Sequence, residues 1–432
     1  MKIFQTGILI FFGVFLFVAV LIFSGAIKLP QKATTATSGI NSVVIWGTVP
    51  SSKLSTSIGF LNNKNAIRIS YVEKDPTTYE ADLLNAFAFG GLPDIFLLSQ
   101  DLIIKYKDKI ITIPYTNFPE RTFDDTYIRQ ASIFKTPVGF LGFPLLSDPL
   151  VMYYNQDLLE TAGYTTAPKY WSDLFDYVPK LTKKNQALQI TTSGVALGQF
   201  SNIKNAKKIF SALMLQLDNA ITVFNFNTNR YDSILSQAST VSKKPAVQSL
   251  NFFNEFSDPL NDVYSWNKTK KEAQDAFISG DLAIYFGLAS EFDNITKKNP
   301  NLNFDVATLP QVKEINNKIT YGDIYALAIP QSSPNAQAAL SIIADLANGT
   351  DTYNLVAPTG FAPVRRDLIA QTNISKYSRI FYDSALNARS WVDPDNQKTN
   401  VIFTKMEESV LSGLSTPEQS IKDTETQIQS VL

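Results

Sequence analysis

Asp148 poses the chemical question in this chain. It sits in FPLLSDPLVMYYNQDLLETAG (143–163), an apolar and aromatic run with Pro144 and Pro149 on either side of the carboxylate. The 432 residues include no histidine and no cysteine. That removes disulfides, thiolate metal sites, cysteine nucleophiles, imidazole zinc sites and the commonest general base at once. What remains is carboxylate-only chemistry, as in glycoside hydrolysis, or binding without chemistry. A proline on each side disfavours helix and a regular interior strand, so the stretch reads as a loop or crossover. The carboxylate there is either a solvated turn residue or an acceptor for the hydroxyl or ammonium groups of a ligand.

Aromatic side chains, 12% of the chain, are mostly core material, but two tryptophans stand in loop-adjacent positions. Trp46 ends an apolar strand and is followed by GTVPSS, and the carboxyl ends of strands are where open α/β sheets place ligands. Trp391 lies in RSWVDPDNQK, a polar stretch containing proline. An indole face suits the apolar C–H patch of a sugar ring, so each is read as either packing or ligand stacking.

The totals narrow the classes further. Net charge is −1 and charged residues make up 18%, which gives no clustered cation surface for nucleic acid. No glycine-rich phosphate loop stands between a strand and a helix, so no nucleotide site is expected, and no cofactor is called for. Hydrophobic content of 45% is ample for buried cores.

The elements that must position these groups alternate between strand and helix, the pattern of an α/β fold. SVVIW (42–46), AIRISYV (66–72), PDIFLLS (93–99), LVMYYN (150–155), FDVATLP (304–310) and YALAIP (325–330) read as strands. YEADLLNAFAF (79–89) reads as a helix with Leu83, Leu84 and Phe87 on one face, stopped by Gly90-Gly91. Asn155 can cap a helix that Gly163 ends, and NIKNAKKIFSALMLQLD (202–218) places Ile209, Phe210, Leu213, Met214 and Leu217 at helical spacing. KEAQDAFISGDLAIYFG (271–287) reads as helix, glycine stop, then strand, and NAQAALSIIADLANG (335–349) as a helix with a glycine finish. Pro179 should kink or shorten a helix over 171–184, and Thr416, Pro417 and Gln419 form a helix start signal with a capping box.

At the N-terminus no charge occurs from Ile3 to Ile27, and residues 7–23 are nearly all apolar. This exceeds the ~7–15 apolar residues of a secretory signal and approaches the ~20 of a spanning helix. The expectation is an uncleaved transmembrane anchor over 1–28 at the cell membrane, with Ser24-Gly25-Ala26 keeping a cleaved signal peptide open. A Ser/Thr/Ala-rich linker, 29–42, would tether an extracytoplasmic domain.

Several segments in order resemble the extracellular solute-binding proteins of bacterial ABC importers, the maltose-binding-like sugar receptors. They are YEADLLNAFAFGGLPDIF (79–96), FPLLSDPLVMYYNQDLLETAGYTTAPKYWSDL (143–174), AFISGDLAIYFG (276–287), TYGDIYALAIPQSSPNAQAALSIIADLAN (320–348), PTGFAPVRRDL (358–368) and GLSTPEQSI (413–421). The resemblance spans about 40 to 432, and it is the order of individually weak motifs that carries it.

That resemblance implies a two-lobed periplasmic-binding-protein-like fold whose lobes are joined by crossing strands, with a ligand cleft between them. Lobe one would hold 43–146 and 326–372, and lobe two 147–325 and 373–432. Asp148 then matches an acidic residue that commonly accepts hydrogen bonds from sugar hydroxyls. Further binding groups are implied at Trp46 and Thr48, across Tyr321, Asp323 and Tyr325, and at Phe361 and Trp391. Two departures stand out. Leu288-Ala289-Ser290 follow AIYFG where the family often has a stacking tryptophan, and the lipidated cysteine of many members is missing. The implied function is capture of a small solute, a sugar or oligosaccharide, for a separately encoded permease and ATPase, without catalysis. A membrane-tethered sensor, and a carbohydrate enzyme using Asp148 with Asp323, are the rivals.

Overall fold

The computed structural model describes residues 42–64, 67–346 and 349–432, and the expected anchor (1–28) and nearly all of the linker lie outside them. Among the described residues, no helix is long and apolar enough to cross a membrane. Ser42–Leu432 form one compact unit.

Its frame is an eleven-stranded sheet. The strands are β1 (Ser42–Gly47), β2 (Arg68–Glu73), β3 (Ile95–Ser99), β4 (Phe143–Asn155), β5 (Lys183–Lys184), β6 (Ile190–Val195), β7 (Leu282–Leu288), β8 (Phe304–Thr308), β9 (Thr320–Ala328), β10 (Ala362–Pro363) and β11 (Ala388–Arg389). Their order is β2-β1-β3-β9-β4-β7-β6-β5, with β8 and β10 also on β4 and β11 on β9. β1, β2 and β3 run parallel, and β9 runs antiparallel to both β3 and β4. Val43, Ile95, Phe96 and Leu98 are fully buried, as expected for strands covered on both faces.

β4 departs from the sequence expectation. The stretch around Asp148 is no loop but the interior of a continuous thirteen-residue strand. Its two prolines are tolerated because neither sits in an undisturbed ladder. Pro144 adjoins a register shift between β4 and β9, and at Pro149 the strand changes partners. Residues 143–149 pair with β9 and β10, whereas residues 150–155 pair with β7 and β8. A missing N–H is least costly at such a junction. Opposite Pro149 stands Gly322, where a Cβ would come within 3.3 Å of the Pro149 Cα and 3.1 Å of the Gln130 amide.

The helices largely follow their sequence signals. α1 (Ser51–Lys64) leads from β1, and α2 (Tyr79–Phe89) ends at Gly90 and Gly91, both with positive φ. Leu84 corrects the reading of α2: it is 57% exposed, and Tyr79, Leu83 and Ala86 make the buried face. α3 (Ile103–Tyr106) follows β3, and Asn155 caps α4 (Gln156–Thr161) through a 3.0 Å bond from Leu158 N–H. The helix with Pro179 is shortened to Leu174–Leu181. α5 (Ala206–Gln216) buries Ile209, Phe210, Leu213 and Met214. α6 (Pro245–Glu255), α7 (Phe292–Lys298), α8 (Ala336–Leu346), α9 (Lys376–Leu386), α10 (Asn396–Leu411) and α11 (Pro417–Gln429) complete the layers used below. Thr416 caps α11, but Gln419 bonds Asp423 rather than closing a capping box.

α10 contains a charge problem. Glu407 is fully buried, and neither carboxyl oxygen finds a partner in ordinary hydrogen-bond geometry. Burial pushes its pKa up to about 8, and Lys268 and the Phe200 N–H offset this only in part. The folded protein therefore binds a proton that the unfolded chain has released, so stability falls as pH rises from the ordinary carboxyl range through about 8. The full effect is bounded at roughly 5 kcal/mol. Glu407→Gln should leave the urea midpoint almost unchanged at pH ~5 and raise it at pH ~9; equal midpoints at both pH values would show that the carboxyl is not held protonated.

Candidate functional site

The partner change in β4 brings two carboxylates together. Asp148 and Asp323 are directly opposed in the β4–β9 ladder, so their side chains rise from the same face. Tyr321 and Tyr325 share that face by the two-residue alternation of β9. Both aspartates are buried, at 2% and 7% exposure.

The two are held differently. Asp323 accepts from Gln100 Nε2 at 2.8 Å and from Lys208 Nζ at 2.5 Å. Gln100, just past β3, also bonds the Tyr321 hydroxyl at 3.3 Å and takes the Ile324 N–H at 3.0 Å, so it ties β3 to β9. Asp148 accepts the Ser290 backbone N–H at 2.9 Å. Burial pushes the Asp148 carboxyl up to about 7; Ser290 opposes this, while the charges of Asp323 and Glu291 add to it. Ser290 belongs to the Leu288-Ala289-Ser290 segment after β7, which thus supplies a backbone hydrogen bond to the acid.

Lys208 comes from the first turn of α5, beside Lys207. Two cations at a helix N-terminus oppose the helix dipole and need nearby anions. Both have them: Lys207 bonds Asp393 at 2.6 Å, with Asn396 and Thr399 completing its shell, and Lys208 bonds Asp323. Burial pulls the Lys208 ammonium down, but Asp323, then Asp101 and Asp148, hold it above its ordinary value. Asp101, itself hydrogen-bonded to Ser99, is raised by burial. Three carboxylates thus act on one ammonium. On the opposite face, Gln130 links Ser147, Gly322 and Ser390 through 2.7 Å bonds.

The other residues expected at the site are held in different ways. Tyr321 is buried with Lys208 Nζ 5.7 Å from its ring, and half-buried Tyr325 meets the Phe361 ring edge-on at 6.1 Å. Thr48 is half-buried in the loop after β1. The Trp46 ring has Lys74 Nζ 3.7 Å above it, so one stacking surface is already covered by a cation. Trp391 is a packing residue in this structure, 3% exposed, with its indole N–H on Ser211 Oγ at 3.1 Å and its ring against Phe403. Gln100, Asp101, Lys208 and Ser290 were not read from the sequence as site residues. The unpaired lysines opening an apolar helix, KK at 207–208, were the one signal that could have found Lys208.

Asp148 and Asp323 lie in a buried seam where β4 passes from one set of partner strands to the other. An apolar cavity lies under Trp46, lined by Leu54, Leu97, Leu145 and Leu327, and a wider groove runs past Tyr154, Lys169, Thr308 and Lys318; neither reaches Asp148. Two ion pairs bridge distant segments at its margins. Lys53 of α1 reaches Asp293 of α7 at 2.6 Å and the Thr359 carbonyl at 2.8 Å, and Lys105 of α3 reaches Asp395, the cap of α10, at 3.2 Å.

Strands crossing between two α/β halves, with buried acids at the crossing, define a two-lobed binding-protein architecture. Residues 59–347 match the family model described as bacterial extracellular solute-binding protein, and the chain belongs to that family. A putative binding protein of Brucella abortus (strain 2308) is 21% identical over 356 residues, covering 79% of this chain and 80% of its own. An ABC transporter solute-binding protein from Thermotoga lettingae TMO, bound with alpha-D-tagatose, superposes with a TM-score of 0.68 at 17% identity, covering 90% of this chain and 99% of its own. UgpB from Mycobacterium tuberculosis, in complex with glycerophosphocholine, gives 0.70 at 16% identity, covering 91% and 98%.

The Lys208–Asp323 pair is partly buried, and removing one partner of such a pair costs ~3–5 kcal/mol where the stranded charge stays buried. Lys208→Met should therefore lower the urea-unfolding free energy by a few kcal/mol, and Lys208→Met with Asp323→Asn should recover most of the loss. Additive losses would mean the two groups are not coupled.

Proposed function

We propose that this protein is an extracytoplasmic receptor that captures a small solute, of the sugar, oligosaccharide or polyol class, between two lobes and delivers it to an ABC permease. The lobes are residues 43–146 with 326–372 and residues 147–325 with 373–432. One observation carries the reading: Asp148 and Asp323 face each other where β4 passes from one set of partner strands to the other. Groups at that point touch whatever lies between the lobes, and a ligand shifts closure only by binding the closed form better than the open one. The family consists of binding proteins, which agrees with capture without turnover. The apolar run 7–23 would hold the receptor at the membrane, since no cysteine is available for lipidation.

Thermal unfolding in the presence of sugars and oligosaccharides tests the assignment. A ligand at ~100 times its Kd adds ~2.7 kcal/mol to the native state. At least one should raise Tm, and Asp148→Asn should weaken that ligand without any product forming; glycan turnover abolished by Asp148→Asn or Asp323→Asn would assign a carbohydrate enzyme instead. No shift across mono- and oligosaccharides, polyols and glycerophosphodiesters would defeat the receptor assignment.

The marginal ion pairs should set the balance between open and closed forms. Lys53 and Asp293 side chains are 23% and 46% exposed, so each such bridge is worth ~0–1 kcal/mol. Lys53→Ala with Lys105→Ala should increase the radius of gyration in small-angle scattering without added ligand and weaken binding by up to about thirtyfold. High salt should move the native protein the same way. An unchanged radius and affinity would rule out a gating role for these pairs.

A further inference from the structure

The seam carries its own cation, and that constrains which solutes can enter. Asp101, Asp148 and Asp323 all act on the Lys208 ammonium, while Lys207 is spent on Asp393. Glu291, whose charge acts on Asp148, is occupied by Asn205, Tyr285 and Gln274, at 2.9, 2.5 and 2.7 Å, and by no cation. Geometrically, Asp148 faces Asp323 across the ladder, and Lys208 is the cation bonded to Asp323 of that pair. Lys208 is also the movable member: its side chain is 23% exposed on a four-carbon stem, whereas Asp323 lies in a central strand and is 9% exposed.

Resting on the receptor reading, we propose that the seam selects solutes carrying a protonated amine beside hydroxyl groups, of the amino-sugar class. The solute's ammonium would take the position of Lys208 Nζ on Asp323, with the Asp148 carboxylate as second acceptor. The exchange conserves charge. A neutral sugar placed there would leave Asp323 without a cation, the costly half of a broken buried pair. A phosphate would meet the facing acids Asp148 and Asp323 with Lys208, already engaged by Asp323, to receive it. Lys208 is then a specificity residue that keeps Asp323 neutralised until an ammonium replaces it, and it sets this seam apart from one built to hold a phosphodiester.

Matched triads of the same skeleton test this on the full-length protein in detergent: a hexosamine, the parent hexose and its phosphate, in the gluco, galacto and manno series and as their disaccharides. Within any triad that stabilises the protein, calorimetry should rank amine over hydroxyl by about tenfold or more, and hydroxyl over phosphate. Lys208→Gln, which removes the internal competitor, should tighten the amine further. A triad in which the hydroxyl or phosphate member binds best overturns the selectivity and leaves the receptor standing. Absence of binding by every member, together with no response to uncharged oligosaccharides, removes the receptor reading itself. The ranking on unaltered protein decides the matter even where the Lys208 variant does not fold.

Discussion

One strand serving two sets of partners is the constraint on which the rest of this structure depends. β4 is antiparallel to β9 up to Pro149 and antiparallel to β7 from Leu150 onward. A strand cannot change neighbours without a residue whose own ladder bond is dispensable, and proline, with no N–H to leave unpaired, fits that position. Register then follows. With Gly322 against Pro149, Asp323 must face Asp148, and Tyr321 and Tyr325 must rise on the same side. A slip of one residue would turn all four side chains to the other face.

Placing two acids opposite each other in a buried ladder is unfavourable on its own. The fold meets this with unequal compensation: a full ammonium and an amide for Asp323, a backbone N–H for Asp148. The ammonium comes from a helix end where it is itself out of place, so two local misfits satisfy each other. Such arrangements contribute little net stability compared with an apolar pair of similar volume. They stand at the junction of the sub-sheets, where β4 changes partners.

Much of the architecture was legible in the sequence because it rests on local rules. Gly90, Gly163 and Gly280 end their helices with positive φ, Asn155 caps, and the apolar spacing of α5 reports its buried face. The alternation of strand and helix gave the α/β class, and the ordered motifs gave the family. What was not legible depended on long-range pairing. Asp148 read as a loop residue because its prolines were judged by propensity, whereas the partner strand arrives some 175 residues later. Leu84 fits an apolar stripe as well as its neighbours do, yet the sheet packs on the adjacent face. Trp391 stands in a polar stretch, but its ring is taken up by Ser211 and Phe403. Asp148 and Asp323 could be nominated as acids; that a lysine from α5 would neutralise one of them could not, because nothing near residue 208 refers to residue 323.

The pairing of β3 with β9 also orders events in time. Leu97 bonds into a ladder with Leu327, and Ser147 with Ala362, so the first sub-sheet stays unfinished until the chain has been made almost to its end. Until then, β3 and β4 present bare edges of largely apolar strand, the kind of surface that joins neighbouring chains. Assembly dominated by such distant pairings is slow. A chain of this connectivity therefore keeps the edge of β3 open until residues some 230 positions further on have been made.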